Sequence, residues 1–410
     1  MKRLVLAGAG HAHARVLRAL ARQPLPGVEV VVVSPEPLAP YSGMVPGWLA
    51  GRYRFDEIVI DFPPLAAAAG ARWCQGELHA LDPARRQLQL ADGHLLDYDV
   101  LSLNIGSTLR PPQAAQARML PLRPLAMLRG RYEALLARWA SERSDRPYVV
   151  TAVGGGAAGF EALLGVLHRL RAMRPDRVVH GRLLTRTLLP GLAPGARRAA
   201  QRALDRAGVT VQAGWGDCGW VDDGSDLVVW ATGAEAHDVL RDPARRGALA
   251  VDAQGFVRID EQLRSVSHPQ VYAAGDCAGW PGPGLPKAGV HAVRMGPVLA
   301  GNLRAALRGP AGAGALETHR PQRQMLALLA TGDGRAIASR GIFGAEGAWV
   351  WRWKDRIDRR FLDRFRALQP ASRPIHPPAP VADTPNPSAT PGASGPPGQP
   401  PIVNPPGSQA

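Results

Sequence analysis

The 410-residue sequence predicts an α/β fold that carries one β-α-β plan twice and ends in a small α+β module. Three observations predict it. Residues 4–10 (LVLAGAG) read as an apolar strand running into a glycine turn, and residues 148–159 (YVVTAVGGGAAG) repeat that arrangement. Each is followed by a helical stretch and a second apolar strand. A plan repeated within one chain is a stronger signal than either copy alone.

The elements follow in order. A helix is predicted over about 12–23 and a strand over Val28–Val33, closing the first unit. Between 72 and 104 short segments broken by Asp82-Pro83 and Asp92-Gly93 predict an antiparallel meander, and LSLNIGS (101–107) a strand ending in a tight turn. The second unit adds a helix over 160–172, a strand near 178–185, a helix over 195–207, the short strand Val209–Gln212 and LVVWATG at 227–233. Then come FVRID, the strand VYAA before GDCA, and a helical stretch over 287–308. A Gly/Ala/Pro linker (309–315) leads to the last module. There Trp349 and Trp351 alternate with Ala348, Val350 and Arg352 as in a strand. Trp353, Ile357, Phe361 and Phe365 recur every four residues, predicting one side of a helix, with Lys354, Arg356, Arg359, Arg360 and Arg364 on the remaining surface. Residues 370–410 hold 14 prolines and two charged side chains, too little apolar area to offset chain entropy, so a disordered tail is expected.

Composition narrows the function classes. The +15 formal charge comes almost wholly from scattered arginines without aromatic interleaving, which speaks against a nucleic-acid binder and suits anionic cofactors or an anionic membrane surface. No apolar run approaches the length of a bilayer span, and LVLAG after Lys2-Arg3 breaks into glycine and histidine too soon for a signal peptide, so a cytoplasmic chain is expected. Cys74, Cys218 and Cys277 have no spacing that suggests a redox pair or metal cluster.

At the first loop, Gly8 suits a tight turn and Gly10 a close approach to a pyrophosphate at the helix N-terminus. His13 replaces the third glycine and either donates near the pyrophosphate or fills a packing shell. Ser34 stands where the ribose-binding acid is expected, with Glu36 two residues on. The second loop has all three glycines, Gly154, Gly156 and Gly159, and Glu161 is expected in the first helical turn. No acid occurs between Arg177 and Leu204, whereas Thr185 and Arg186 stand at the predicted strand end. An arginine there suits the 2′-phosphate of NADPH.

With Thr232-Gly233 closing the second unit and Gly275-Asp276-Cys277-Ala278 following VYAA, the chain resembles the FAD-dependent pyridine nucleotide-disulfide oxidoreductases. Within them it resembles the branch of type II NADH dehydrogenases and sulfide:quinone oxidoreductases. PYSGMVPG (40–47), GDGRAIASRG (332–341) and WVWRWKDRIDRRF (349–361) look like the subgroup fused ahead of selenophosphate synthase or standing alone.

The resemblance implies two Rossmann-like domains. A FAD domain (1–115 and 249–310) is interrupted by an NAD(P)H domain (116–248), with a C-terminal module (311–368) and the tail (369–410) beyond. It implies FAD and NAD(P)H as cofactors and hydride transfer from nicotinamide to flavin N5, then electron delivery to a quinone or other small acceptor. A selenium- or sulfur-species oxidoreductase, or a flavin-binding sensor, is the alternative. Asp276, after Gly275, is expected to accept from the ribitol or lie by the pyrophosphate, and Gly106 to border the adenine side. Pro40, Tyr41 and Ser42 are expected along the flavin, with Lys287 and Ala288 near its pyrimidine edge. Lys287 either stabilises charge on the reduced flavin or is a solvated helix-start lysine. Residues 349–365 are expected to pack internally or to meet a membrane or a partner. The chain departs from the family pattern in two ways. No cysteine lies in 36–73, and KAGVHAVRMG lacks the paired glutamines of the quinone site.

Overall fold

The computed structural model describes residues 1–112, 118–214, 224–282, 284–308, 315–322 and 324–368. Cys218, most of the 309–315 linker and the Pro-rich tail lie outside the described residues.

Two five-stranded parallel sheets dominate. In the first, strand Lys2–Ala7 lies between Val28–Ser34 and Val100–Leu103, with Arg72–Gln75 and Val271–Ala273 at the edges. The second is built wholly from residues 119–230, with Tyr148–Val153 between Leu227–Trp230 and Val179–Thr185, flanked by Met119–Pro121 and Val209–Ala213. It thus interrupts the first sheet in sequence. Both central strands are buried nearly throughout, as a parallel sheet covered on both faces requires. The two crossovers run antiparallel side by side, joined by a Thr108–Glu235 bridge.

The helices His11–Arg22 and Ala157–Met173 follow the two glycine loops, and Gly289–Arg308 packs along the first of them. The predicted meander is real but shorter: Leu78–Asp82, Gln87–Leu90 and Leu95–Asp97 form an antiparallel sheet, while Arg72–Gln75 joins the parallel one.

The C-terminal module is a three-stranded antiparallel sheet (Ala327–Ala330, Ala336–Arg340, Phe343–Gly347) followed by helix Ala348–Arg366. Two expectations fail here. Residues 348–352 are helical, because Gly347 ends the hairpin strand and the helix starts at once; of the alternating tryptophans Trp349 is exposed, whereas Trp351 turns inward. The four-residue stripe also splits. Phe361 and Phe365 are buried, whereas Trp353 and Ile357 are 40% and 39% exposed, and the inward face is instead Val350, Lys354, Asp358, Phe361, Leu362 and Phe365. Lys354 is therefore not a surface group. Its ammonium donates to Asp358, which is itself buried, at 2.6 Å and to the Gly43 carbonyl. The helix lies against the first domain through Trp351 stacked on Tyr53 (5.7 Å) and Phe361 on Tyr41 (4.5 Å). The hairpin meets the second through Ser339, which accepts from the Ala193 amide, and Glu346, which pairs with Arg202 and Arg206. No helix of the described residues is long and apolar enough to cross a membrane.

Candidate functional site

One cavity of about 1720 Å³ runs between the two glycine loops. Gly8 and Gly10 line it from one side and Gly154 and Gly156 from the other. Both loops make the same turn at the first glycine, with φ of +101° at Gly8 and +114° at Gly154.

At the first loop, the sequence concealed the side chain that organises the turn. Asn104 Oδ1 accepts from the Ala12 and His13 amides (3.0 and 3.3 Å), and its Nδ2 donates to the Ala274 carbonyl at 2.6 Å. It caps the helix from another strand and leaves the first amides, of Gly10 and His11, at the cavity. A Cβ on Gly10 would stand 2.0 Å from Asn104 Oδ1, so glycine is required there for the cap as well as for a ligand.

His13 does not line the cavity. It is fully buried, its Nδ1 bonded to the Gly8 carbonyl at 2.7 Å and its Nε2 to the Ser102 hydroxyl at 2.8 Å. A carbonyl only accepts, so Nδ1 carries the proton and Nε2 accepts from Ser102. Burial pushes the ring down to about 4, and it is neutral near pH 7. The packing reading of His13 is the one the geometry supports.

Glu36, exposed beyond strand Val28–Ser34, lines the cavity with Gly76, Glu77 and His79. Gly106, Pro40, Ser42, Asp276, Lys287 and Ala288 line it too, but Gly275 and Tyr41 do not. Tyr41 turns instead to the C-terminal helix, beside Asp358 and stacked on Phe361. The Lys287 ammonium points at the Ala278 carbonyl (2.7 Å) and the Phe256 ring (3.6 Å), and burial lowers its pKa. It is thus neither a solvated lysine nor a free cation. Arg123, which no sequence signal marked, lines the cavity and binds Asp276.

At the second loop, Gly154, Gly156, Thr185, Arg186, Thr232 and Gly233 all line the cavity, whereas Gly159 is buried beneath it. A Cβ on Gly159 would sit 1.9 Å from the Gly154 carbonyl, so it serves helix–strand packing. Thr185 is buried and donates to the Thr187 carbonyl at 2.9 Å, while Arg186 is exposed. Glu161 lies one turn deeper than expected, because the helix begins at Ala157. It is buried, accepts from the Ala330 amide at 2.7 Å, and lies within electrostatic reach of Lys354 and Asp358. Burial lifts its carboxyl to about 7, with Lys354 opposing the shift.

Dinucleotides fit this surface. A Cβ on Gly106, Gly156 or Gly233 would meet no protein atom within 4 Å, and all three line the cavity. Among the described residues, no cysteine pair stands at the cavity. Cys277 is buried, with Sγ 3.4 Å from the Leu103 and Ala274 carbonyls and its thiol pushed up to about 11 by burial. Cys74 is free on an edge strand, and no group of three or more metal-ligating side chains occurs among the described residues.

Residues 2–296 match the family described as pyridine nucleotide-disulphide oxidoreductase. The chain belongs to this family. FAD and NAD(P)H are the cofactors that membership brings. This oxidoreductase is 29% identical over 266 residues to putidaredoxin reductase CamA of Pseudomonas putida, matching 60% of this chain and 58% of that protein, so less than two thirds of its length is spanned. In structure it is similar to the sulfide:quinone oxidoreductase from Aquifex aeolicus (TM-score 0.71, 15% identity, 90% of this chain and 92% of that one). It is also similar to NDH2 from Plasmodium falciparum in complex with NADH (TM-score 0.70, 12% identity, 89% and 97%). These likenesses establish the fold, and both extend beyond the 2–296 match.

Proposed function

We propose that the protein is a FAD-dependent NAD(P)H oxidoreductase that delivers electrons to a small acceptor at the flavin itself. The observation that carries this reading is the cavity lined by both glycine loops, which would bring two dinucleotides into one space. FAD would be held by Gly8, Gly10, Glu36, Gly106 and Asp276, in residues 1–115 and 249–310. NAD(P)H would be held by Gly154, Gly156, Arg186, Thr232 and Gly233, in residues 116–248. A flavin held by these residues would supply the hydride-accepting chemistry of its N5 and two-electron delivery to a second substrate.

The chain's own residues do the positioning. The amides of Gly10 and His11 and the helix N-terminus behind them favour a pyrophosphate. The C-terminal helix is tied to the cavity wall through Lys354, which donates to the Gly43 carbonyl and to Asp358. Glu161 lines the cavity, accepts from the Ala330 amide and has its carboxyl lifted to about 7 by burial, so it is a group that could exchange a proton there. Cys277 is buried and its thiol is pushed up to about 11, so this cysteine is not the group that would meet a quinone or a selenium or sulfur species.

Membership of the subgroup standing ahead of selenophosphate synthase rests on residues 40–47, 332–341 and 349–361. A peripheral membrane contact rests on the outer face of the last helix, where Trp349, Trp353 and Ile357 are 54%, 40% and 39% exposed beside exposed Arg352, Arg356 and Arg360.

An absorbance spectrum of the purified protein, followed by anaerobic titration with NADH and NADPH, tests the reading. A bound flavin bleached by one equivalent of either donor is expected. Folded protein that takes up no FAD would end it.

A further inference from the structure

We infer that Arg15, Arg18, Arg22 and Arg364 form a binding site for a phosphate group, built by helices His11–Arg22 and Ala348–Arg366 outside the dinucleotide cavity. None of the four lines that cavity.

The first three stand three and four residues apart in helix His11–Arg22, so they share one face of it. Arg364 arrives from helix Ala348–Arg366, which meets the start of the first helix where the Phe361 ring lies 6.3 Å from that of His11. About one turn further along each helix, Arg364 is within electrostatic reach of both Arg15 and Arg18, and Arg18 is within reach of Arg22. The Arg15 stem is held against the neighbouring helix Gly289–Arg308, since a Cβ on Gly296 would stand 2.6 Å from the Arg15 Cβ. Arg15 and Arg18 are half-buried and Arg22 and Arg364 are exposed, so the cluster opens to solvent on one side.

These like charges lack a counter-charge. Helices His11–Arg22 and Gly289–Arg308 carry Arg15, Arg18, Arg22, Arg294, Arg304 and Arg308 and no acid. Asp363, beside Arg364 in sequence, lies 3.6 Å from Arg366 instead. Among the described residues no carboxylate pairs with any of the four, and the Nε atoms of Arg15 and Arg18 are buried without a hydrogen-bond partner. Burial first, and repulsion from the neighbouring arginines second, lowers the pKa of both. Repulsion among half-buried cations is screened less than at an open surface, and an anion seated between them removes it. Guanidinium forks match phosphate oxygens two at a time, and forks converging from two helices suit one multi-oxygen anion better than chloride. A soluble phosphate compound and a lipid headgroup present that same group, and the experiment separates the two sources.

The test uses the full-length protein saturated with FAD, as wild type, R18Q, R364Q and R143Q. Arg143 is an exposed arginine of the second domain and controls for the loss of one charge. Unfolding temperatures are measured in sodium chloride and, at equal ionic strength, in sodium phosphate and sodium pyrophosphate. Wild type is expected to gain about 3 °C or more from pyrophosphate. R143Q should gain as much, while R18Q and R364Q lose most of the gain. In chloride R364Q should unfold no lower than wild type, because a repulsive charge has gone. A second arm measures sedimentation with phosphatidylcholine vesicles, with and without phosphatidylglycerol. If soluble anions give wild type no gain, but R18Q and R364Q lose a retention on the anionic vesicles that R143Q keeps, the phosphate is a headgroup and the site stands. Equal gains in wild type, R18Q and R364Q, with equal retention on vesicles, would overturn the inference. So would a wild type that neither gains from these anions nor needs Arg18 and Arg364 for retention. R364Q unfolding several degrees below wild type in chloride would overturn it too, since that guanidinium would then be held by the protein itself. Should R18Q not fold, R364Q against R143Q carries every comparison.

Discussion

Glu161 shows how far environment resets a residue whose type and position were evident in the sequence. The carboxyl ordinarily titrates near 4.5 and is lifted to about 7 by burial beside the Ala330 amide. The folded protein therefore keeps a proton between those values that the unfolded chain releases. Stability should fall as pH rises through that window, and the loss is complete above pH 7. Glu161→Gln removes the titration while keeping an acceptor for Ala330. Urea unfolding at pH 5 and pH 8 should show the variant gaining roughly 2–3 kcal/mol on wild type over that interval. A constant difference between the two proteins would mean the carboxyl is not raised. Arg186 belongs to the same scale. It is exposed at the end of strand Val179–Thr185 and lines the cavity, in a stretch without acids. Arg186→Ala should raise KM for NADPH about tenfold or more with little change for NADH, the cost of one charge-assisted contact. Steady-state kinetics with both donors checks it, and equal changes would remove the 2′-phosphate contact.

At the scale of elements, the second glycine loop separates two jobs that the motif runs together. Gly156 faces open cavity and Gly159 faces the Gly154 carbonyl. Gly156→Val should leave thermal unfolding within about 2 °C of wild type and raise KM at least tenfold for both donors, because the side chain fills only ligand space. Gly159→Ala should instead destabilise by about 1–3 kcal/mol through overpacking. Differential scanning calorimetry with kinetics distinguishes the two. The last helix makes a similar point. Lys354 and Asp358, four residues apart, face inward and satisfy each other. Lys354→Met would strand Asp358 beside Tyr41 in a buried site, and a loss of about 3–5 kcal/mol is expected in denaturant unfolding. A loss below about 1 kcal/mol would show that water reaches the pair. Counting charges along the helix could not have found this, because aromatic residues on the outer face carry the same period as the buried ones.

For the whole molecule, the +15 charge and the exposed Trp349, Trp353 and Ile357 bear on where the protein sits. The helix is anchored by its other face, so its outer aromatics are not needed for packing, and internal packing and surface contact are compatible. Co-sedimentation with anionic liposomes should retain wild type at low salt and release it at high salt. Replacing Trp349, Trp353 and Ile357 with serine should abolish retention and leave the unfolding temperature within about 2 °C. Wild type remaining in the supernatant at low salt would dispose of the membrane contact. Truncation after residue 345 is expected to unfold the protein regardless, since it removes Phe361 and Phe365 from the core.

Local order was legible in the chain. Apolar runs ending in glycine turns place both β-α-β units, because a parallel strand buried on both faces needs a continuous apolar run and the turn after it needs positive φ. The spacing of Gly154, Gly156 and Gly159 likewise follows from contacts within a few residues. Tertiary structure alone decided which polar residues share the site. Asn104 caps a helix 92 positions away, Arg123 meets Asp276 153 positions away, and Glu161 meets Ala330 169 positions away. A lone polar side chain has the same appearance in sequence whether it is solvated, capping or paired. Its role is set by what burial removes and by which distant atoms replace the lost water, and those atoms are brought together only when the two sheets and the C-terminal helix close on one another.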